Sequence, residues 1–155
     1  MKLVNDCLQL REFCPTDLDS LAAYAIQSEM KRYEKGLPDR ESAQIFLEQT
    51  IQKASESPRK HYCLAITLAP ENKVIGHVSL ISQNPDICEW EIGWAVQCAN
   101  WGKGYATEAA YLMLEFAFDQ LKAHRVVAFC HAENSASVKV MEKIGMKQEG
   151  HLRQT

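Results

Sequence analysis

The chain has 155 residues and a formal net charge of −3 at pH 7, and its composition (46% hydrophobic, 24% charged) is that of an ordinary globular protein. This length suffices for one domain without a disulfide or a metal staple, and the acidic balance argues against a dedicated nucleic-acid-binding protein. The N-terminus lacks the apolar segment of a secretory signal, and no stretch approaches the roughly 20 apolar residues of a membrane span.

The cysteines and histidines show no pattern typical of a metal site. Six cysteines, at positions 7, 14, 63, 88, 98 and 130, form no CxxC pair, and several lie in apolar runs where cysteine acts as a small hydrophobic residue. The five histidines are scattered. We therefore expect a single domain, residues 1–155, in the reducing cytoplasm, with no metal and with neither membrane nor nucleic acid as a partner.

The first third of the chain predicts one strand followed by two helices. Residues 8–13 alternate between apolar and polar side chains, which indicates a strand. Thr16 and Asp19 resemble a capping box that opens a helix through about Gln27. After a polar stretch, residues 41–57 predict a second helix.

The middle of the chain predicts three strands and a long helix. Residues 61–67 and 74–81 are β-rich runs joined by a turn, which indicates a hairpin, and residues 88–96 form a third run. A glycine-containing loop, residues 97–104, leads into a helix over residues 105–121, whose apolar side chains recur at intervals of three and four.

The last part predicts a strand over residues 125–131, a short helix over residues 135–144 and another strand from Met146 onward. The resulting order is β, α, α, β, β, β, α, β, α, β. Because this order mixes hairpins with crossover helices, we expect an α/β (α+β) fold with a mixed sheet flanked by helices.

The stretch from Trp101 to Ala109 has the features of a phosphate site, since it follows a strand and opens a helix. A helix start offers unpaired N–H groups and a positive dipole end, and Gly102 and Gly104 let the backbone approach a ligand closely. The alternative is a tight turn that binds nothing. A P-loop is excluded because Gln97 stands where its first glycine belongs, and a dinucleotide fingerprint is excluded because its third glycine is Thr107.

At these residues the chain resembles the GNAT superfamily of N-acetyltransferases. The superfamily signature Q/R-x-x-G-x-G/A is matched by residues 101–106 except at its first position, where this chain has Trp. That Trp, followed by Thr-Glu-Ala at 107–109, is similar to the branch of ribosomal-protein N-terminal (alanine/serine) acetyltransferases. Residues 134–137 and 141–146 resemble the second cofactor motif of that branch, and residues 91–94 its preceding strand.

The resemblance implies a GNAT fold, with a mixed, mostly antiparallel twisted sheet and about four helices. It also implies that the strand ending at Val96 and the strand from Arg125 splay apart. GNAT folds continue past the position of Met146 with two strands, whereas this sequence ends at Thr155. We therefore expect the last strand to be missing, either because the chain is a fragment or because a partner strand, as in a homodimer, completes the sheet.

The resemblance further implies acetyl-CoA as cosubstrate, with its pantetheine arm between the splayed strands and its pyrophosphate at the helix start. Lys103 either adds positive charge at the pyrophosphate or is a solvated surface lysine. Asn134 either hydrogen-bonds to the pantetheine or caps the helix that follows it. The residues expected to bind acetyl-CoA are Trp94, Ala95, Val96, Trp101, Gly102, Lys103, Gly104, Tyr105, Ala106, Thr107, Asn134 and Ser137.

For catalysis, the resemblance implies Glu91 as the base that deprotonates the amine, with Glu89 as second choice. The alternative is that both glutamates are surface charges of the strand without a catalytic role. Backbone N–H groups of residues 93–95 would stabilise the oxyanion. The tyrosine that many relatives use as acid is Met141 here, and Ser137 is the substitute, unless it caps the helix or touches the cofactor instead.

The expected function is transfer of an acetyl group from acetyl-CoA to a primary amine by direct attack on the thioester. The acceptor is a protein N-terminal α-amine or a small-molecule amine, and the sequence does not distinguish them. The alternative is a non-catalytic module that binds acetyl-CoA or CoA, or a truncated relic.

Overall fold

The computed structural model describes residues 1–27, 37–131 and 133–150. The described strands are β1 (Lys2–Val4), β2 (Gln9–Glu12), β3 (His61–Leu68), β4 (Lys73–Asn84), β5 (Glu89–Val96) and β6 (Arg125–Val127). The described helices are α1 (Leu18–Ala25), α2 (Arg40–Ala54), α3 (Tyr105–Asp119) and α4 (Ser135–Lys143). Short 3-10 turns span Pro15–Asp17, Pro85–Ile87 and Cys98–Asn100.

The six strands form one open sheet in the order of the sequence, β1 to β6. All neighbours are antiparallel except β5 and β6, which run parallel because α3 forms the crossover between them. The predicted mixed, mostly antiparallel sheet is therefore confirmed. No helix within the described ranges is long and apolar enough to cross a membrane.

Helices cover both faces of the sheet, and each face has its own apolar core. On one face the core joins Phe13, α1 and α2 to inward side chains of β3 and β4. On the other face it joins α3 and part of α4 to the alternate side chains of β2 to β5. Because both faces are covered, β3 is buried without a break from Cys63 to Thr67.

The N-terminal prediction needs two corrections. β1 was not predicted, because a three-residue edge strand with only Leu3 partly buried shows no periodicity. The predicted capping box of Thr16 and Asp19 is also wrong. The N-cap lies two residues earlier, at Cys14, and the carboxylate of Asp17 accepts the N–H of Cys14 at 2.8 Å. Helix α1 proper therefore begins at Leu18 and ends at Ala25, short of Gln27.

The C-terminal prediction also needs correction, because β6 ends at Val127 rather than at residue 131. A β-strand needs a neighbour to satisfy its backbone groups, and β6 pairs with β5 over only three residues. Residues 146–150, predicted to open another strand, are not in a strand, since no described backbone pairs with them. The part of that prediction beyond residue 150 lies outside the described residues.

Strands β4 and β5 approach most closely at Gly76. A Cβ at this position would collide with the carbonyl oxygen of Ala95 and lie 2.9 Å from the Cα of Val96. A Cβ at Gly93, by contrast, would meet only the side-chain oxygen of Ser79, at 3.3 Å. The glycine at 76 therefore fixes the spacing of the two strands at the end of β5.

We predict that Gly76→Ala lowers the free energy of unfolding by about 2 kcal/mol, because the new methyl group meets backbone that cannot move aside. Gly93→Ala is the matched control and should cost less than half as much. Urea unfolding of both variants measures the difference. Equal losses in the two variants would contradict the close approach at Gly76.

Candidate functional site

The parallel strands β5 and β6 separate after three residue pairs, the last of which joins Glu91 to Val127. β5 continues over residues 92–96, and on this side its backbone has no strand partner among the described residues. At about 3.3 Å per residue, the open edge is roughly 16 Å long. The predicted splaying is confirmed, and it leaves backbone donors and acceptors available to an extended ligand.

The loop after β5 leads into the start of α3 with its backbone accessible. Gly102 and Gly104 have φ values of 79° and 81°, and a Cβ at either would meet no atom within 4 Å. The hydrogen bond from the N–H of Glu108 to the carbonyl of Gly104 (3.0 Å) closes the first turn of α3. The N–H groups of residues 105–107 therefore have no acceptor within the helix, and no side chain of the described residues caps it. This arrangement suits an anion.

Trp101 anchors this loop to the end of β5. Its indole Nε1–H donates to the carbonyl of Val96 at 2.6 Å, although 53% of the side chain is exposed. The N–H of Gln97 donates to the carbonyl of Ile75 at 2.7 Å, which ties the start of the loop to β4. The carbonyl of Val96 therefore already has a donor, and the loop is held in place without a ligand.

Helix α4 brings Asn134 and Ser137 together. The Oδ1 of Asn134 accepts the backbone N–H of Ser137 at 3.2 Å, so its predicted capping role is confirmed, whereas its contact with pantetheine stays a prediction. The half-buried Ser137 hydroxyl makes no hydrogen bond to any other described residue. At the other end of α4, the Tyr111 hydroxyl donates to the carbonyl of Lys143, which ties α4 to α3.

The two candidate carboxylates have different surroundings. Glu89 forms an ion pair with Nε of Arg125 at 3.3 Å, directly across the β5–β6 pair, and Arg125 also contacts Glu149. Glu91 accepts a hydrogen bond from the side-chain amide of Gln83 at 3.2 Å and has no cationic partner in the described part of the chain. Of the two carboxylates, Glu91 is therefore the one whose charge no described cation compensates.

Glu91 lies on the sheet face that α1 and α2 cover, and the side chains beyond it on β5 are small. This face of β5 carries Glu91, Gly93 and Ala95, while the alternate residues contribute to the opposite core. The residue pairs across β4 and β5 on this face are Ile81–Glu91, Ser79–Gly93 and His77–Ala95. On these two strands, the positions between Glu91 and His77 therefore carry only small residues.

His77 is enclosed by aromatic side chains at the other end of this row. Its Nδ1 lies 2.7 Å from the hydroxyl of the fully buried Tyr24, and the rings of Phe13 and Phe46 have centroids 6.5 and 5.5 Å away. Burial, and to a smaller extent the charge of His61, lowers the pKa of His77 to about 4. The imidazole is therefore neutral at pH 7.

Three contacts of this region were not predicted from the sequence. They are the bond from Trp101 to Val96, the pair of Tyr24 and His77, and the bond from Asn5 to the Glu108 carboxylate at 3.0 Å. Each joins residues far apart in the chain or depends on a rotamer. Only the contact of Tyr24 with His77 had a signal in the sequence. His77 is a histidine within an apolar strand, and a polar residue that faces a core needs a hydrogen-bond partner.

A family model described as acetyltransferase (GNAT) domain matches residues 8–147 of the chain. The Bacillus subtilis (strain 168) protein named "Uncharacterized N-acetyltransferase YnaD" is 31% identical over 154 residues, which cover 99% of this chain and 86% of that protein.

Solved structures show the same fold. An acetyltransferase (GNAT family) from Bacillus anthracis superposes with a TM-score of 0.84 at 31% identity, covering 97% of this chain and 86% of that one. A ribosomal-protein-S5-alanine acetyltransferase from Vibrio fischeri superposes with a TM-score of 0.83 over 97% of this chain and 85% of that one. Its identity of 20% supports the fold alone.

The lowered pKa of His77 predicts a pH-dependent stability. Below pH 6.5 the unfolded chain protonates this side chain, whereas the folded protein keeps it neutral until the pH reaches about 4. The contribution of His77 is therefore complete above pH 6.5 and is lost as the pH falls toward 4, by about 2 kcal/mol.

Urea unfolding at pH 7 and pH 4.5 measures this loss. The His77→Gln variant lacks the titrating group, so its free energy of unfolding should fall less between the two pH values than that of the parent protein. Parallel losses in both proteins would show that His77 is not held neutral.

Proposed function

Since the chain belongs to the acetyltransferase (GNAT) family and is an N-acetyltransferase, we propose that it transfers the acetyl group of acetyl-CoA to a primary amine, either the α-amine of a protein N-terminus or a small-molecule amine. Members of this family use acetyl-CoA. The observation that carries the proposal is the open edge of β5 beside the uncapped start of α3. A strand edge and a helix start together match a ligand that has both an amide-rich arm and a pyrophosphate.

In this proposal, pantetheine lies along residues 92–96 as an additional strand and hydrogen-bonds to the free backbone groups. Its two amide groups suit a strand edge, since each supplies one donor and one acceptor. The pyrophosphate meets the N–H groups of residues 102–107, where the left-handed glycines leave space and the helix dipole favours negative charge. Lys103 is exposed at this position and adds a positive charge.

The reaction forms one bond and breaks one bond at the thioester carbon. The neutral amine attacks this carbon, a C–N bond forms and the carbonyl oxygen becomes an oxyanion, which backbone N–H groups of residues 93–95 stabilise. The C–S bond then breaks and CoA leaves as a thiolate. An α-amine has a pKa near 8, so a base that removes its proton raises the fraction that can react at neutral pH.

Glu91 is the proposed base, because its only partner among the described residues is the neutral amide of Gln83. Glu89 is the weaker candidate, because protonating it would break its ion pair with Arg125. Ser137 is the proposed donor to the leaving thiolate, since its hydroxyl is half-buried and its backbone is fixed by Asn134. A thiol has a pKa near 8.5, so the leaving group needs little help.

We predict that Glu91→Gln lowers kcat by about 100-fold, because the amide cannot accept the proton of the amine. The affinity for acetyl-CoA, measured by calorimetry, should stay within about twofold of the parent value, since the Glu91 side chain is not among the groups proposed to bind CoA. Release of free thiol from acetyl-CoA, with the acetylated amine identified by mass spectrometry, gives the rate.

The matched control is Glu89→Gln, which removes a carboxylate two residues away on the same face. It should retain most of the rate. If Glu89→Gln loses activity and Glu91→Gln does not, the assignment of the base is reversed. If the parent protein binds acetyl-CoA but acetylates no amine in a panel of peptide N-termini and small amines, the chain is a binding module instead.

Trp101→Phe tests the anchoring of the cofactor loop. Phenylalanine keeps an aromatic ring but cannot donate to the carbonyl of Val96, so the loop loses the bond that holds it in place. We predict an affinity for CoA about fivefold lower, in line with the loss of one hydrogen bond, and a kcat at saturating acetyl-CoA close to the parent value. An unchanged dissociation constant in calorimetry would show that this bond does not organise the binding loop.

A further inference from the structure

The pair of Tyr24 and His77 fixes which imidazole nitrogen carries the hydrogen. The Tyr24 hydroxyl is buried, and its only hydrogen-bond partner among the described residues is Nδ1 of His77. If the imidazole donated from Nδ1, the hydroxyl hydrogen would have no acceptor in that part of the chain. The tyrosine therefore donates to Nδ1, and the hydrogen of the neutral ring is on Nε2.

This Nε2–H is a donor without a partner in the described ranges. No buried side-chain nitrogen or oxygen of those ranges lacks a hydrogen bond, so Nε2 is reached by solvent although most of the ring is enclosed. A donor held in a fixed direction by a buried tyrosine and surrounded by aromatic rings is preorganised, because little side-chain freedom remains to be lost on binding.

His77 lies one strand away from the place where the thioester is proposed to bind. It pairs with Ala95, at the usual separation of about 4.8 Å between strands, and projects on the face that also carries Glu91. Between the imidazole and the Glu91 carboxylate, the two strands place only the short side chains of Ser79 and Ala95 on this face, since Gly93 has none. An acceptor placed above these small residues would have a base at one end and a hydrogen-bond donor at the other.

We propose that His77 is an acceptor-binding residue whose Nε2–H donates to an oxygen next to the reacting amine, so that the enzyme prefers α-amino acyl compounds, such as peptide N-termini, to simple alkyl amines. This inference rests on the proposed function, since it assigns the substrate class of the same site. Tyr24 acts through His77 as a positioning residue, because its hydroxyl selects the tautomer that presents the donor.

The test compares two primary amines in the whole protein, alaninamide and isopropylamine. Both carry a methyl group on the amine-bearing carbon, and only alaninamide has a carbonyl next to that carbon. We expect His77→Phe, which keeps a ring of similar volume, to raise KM for alaninamide about tenfold. The kcat/KM for isopropylamine and the KM for acetyl-CoA should not change. An equal loss with both amines would overturn the proposal.

Two further measurements separate binding from a purely structural role. His77→Gln retains an N–H near the position of Nε2, so it should restore most of the preference that His77→Phe loses. In the parent protein, nitrogen NMR of His77 should show Nε2 protonated and Nδ1 unprotonated, and Tyr24→Phe should remove that preference. A hydrogen on Nδ1 in the parent protein would also overturn the proposal.

These results are distinguishable from a failure of the proposed function. If the parent protein acetylates no amine in the panel of peptide N-termini and small amines, the function is wrong whichever tautomer His77 adopts. If it acetylates both and His77→Phe leaves their ratio unchanged, the function stands and the assignment of His77 is wrong.

Discussion

The functional site depends on the separation of β5 from β6 after three residue pairs. Up to Glu91 the two strands satisfy each other's backbone groups, and the ion pair of Glu89 with Arg125 reinforces the first of the three residue pairs. Beyond it, β5 is held from the β4 side alone, with Gly76 permitting a close approach at Ala95. An open strand edge inside a protein is unusual because unpaired backbone groups are costly to bury, so a ligand that pairs with them binds strongly.

The two faces of the sheet contribute different parts of the site. The face under α3 and α4 supplies an apolar core that holds the cofactor helix and its glycine loop against the end of β5. The face under α1 and α2 carries the polar residues, with Glu91 toward one end and His77 near the other. The open edge of β5 lies between the two faces.

The elements of the central region could be predicted from the sequence because their signals are local. Runs of β-favouring residues bounded by turns mark β3 to β5, the three-to-four spacing marks α3, and the two glycines mark the loop between β5 and α3. The bounds of the short strands β1 and β6 depend on pairing with a neighbouring strand rather than on a sequence pattern. For this reason β1 was not predicted, and β6 was predicted to be longer than it is. Candidate site residues other than Tyr24 and His77 could be proposed from a resemblance, but the hydrogen bonds of these residues could not. The partners of Trp101, Glu91 and His77 lie on neighbouring strands or helices and depend on the completed fold.

The central claim is that CoA binds along residues 92–96 and at the amides of residues 102–107. Backbone amide NMR during titration with CoA tests it most directly. The account predicts large shifts for those two segments, with small shifts for β1 and β2 at the far edge of the sheet. Saturating CoA that leaves the signals of both segments unchanged would contradict it.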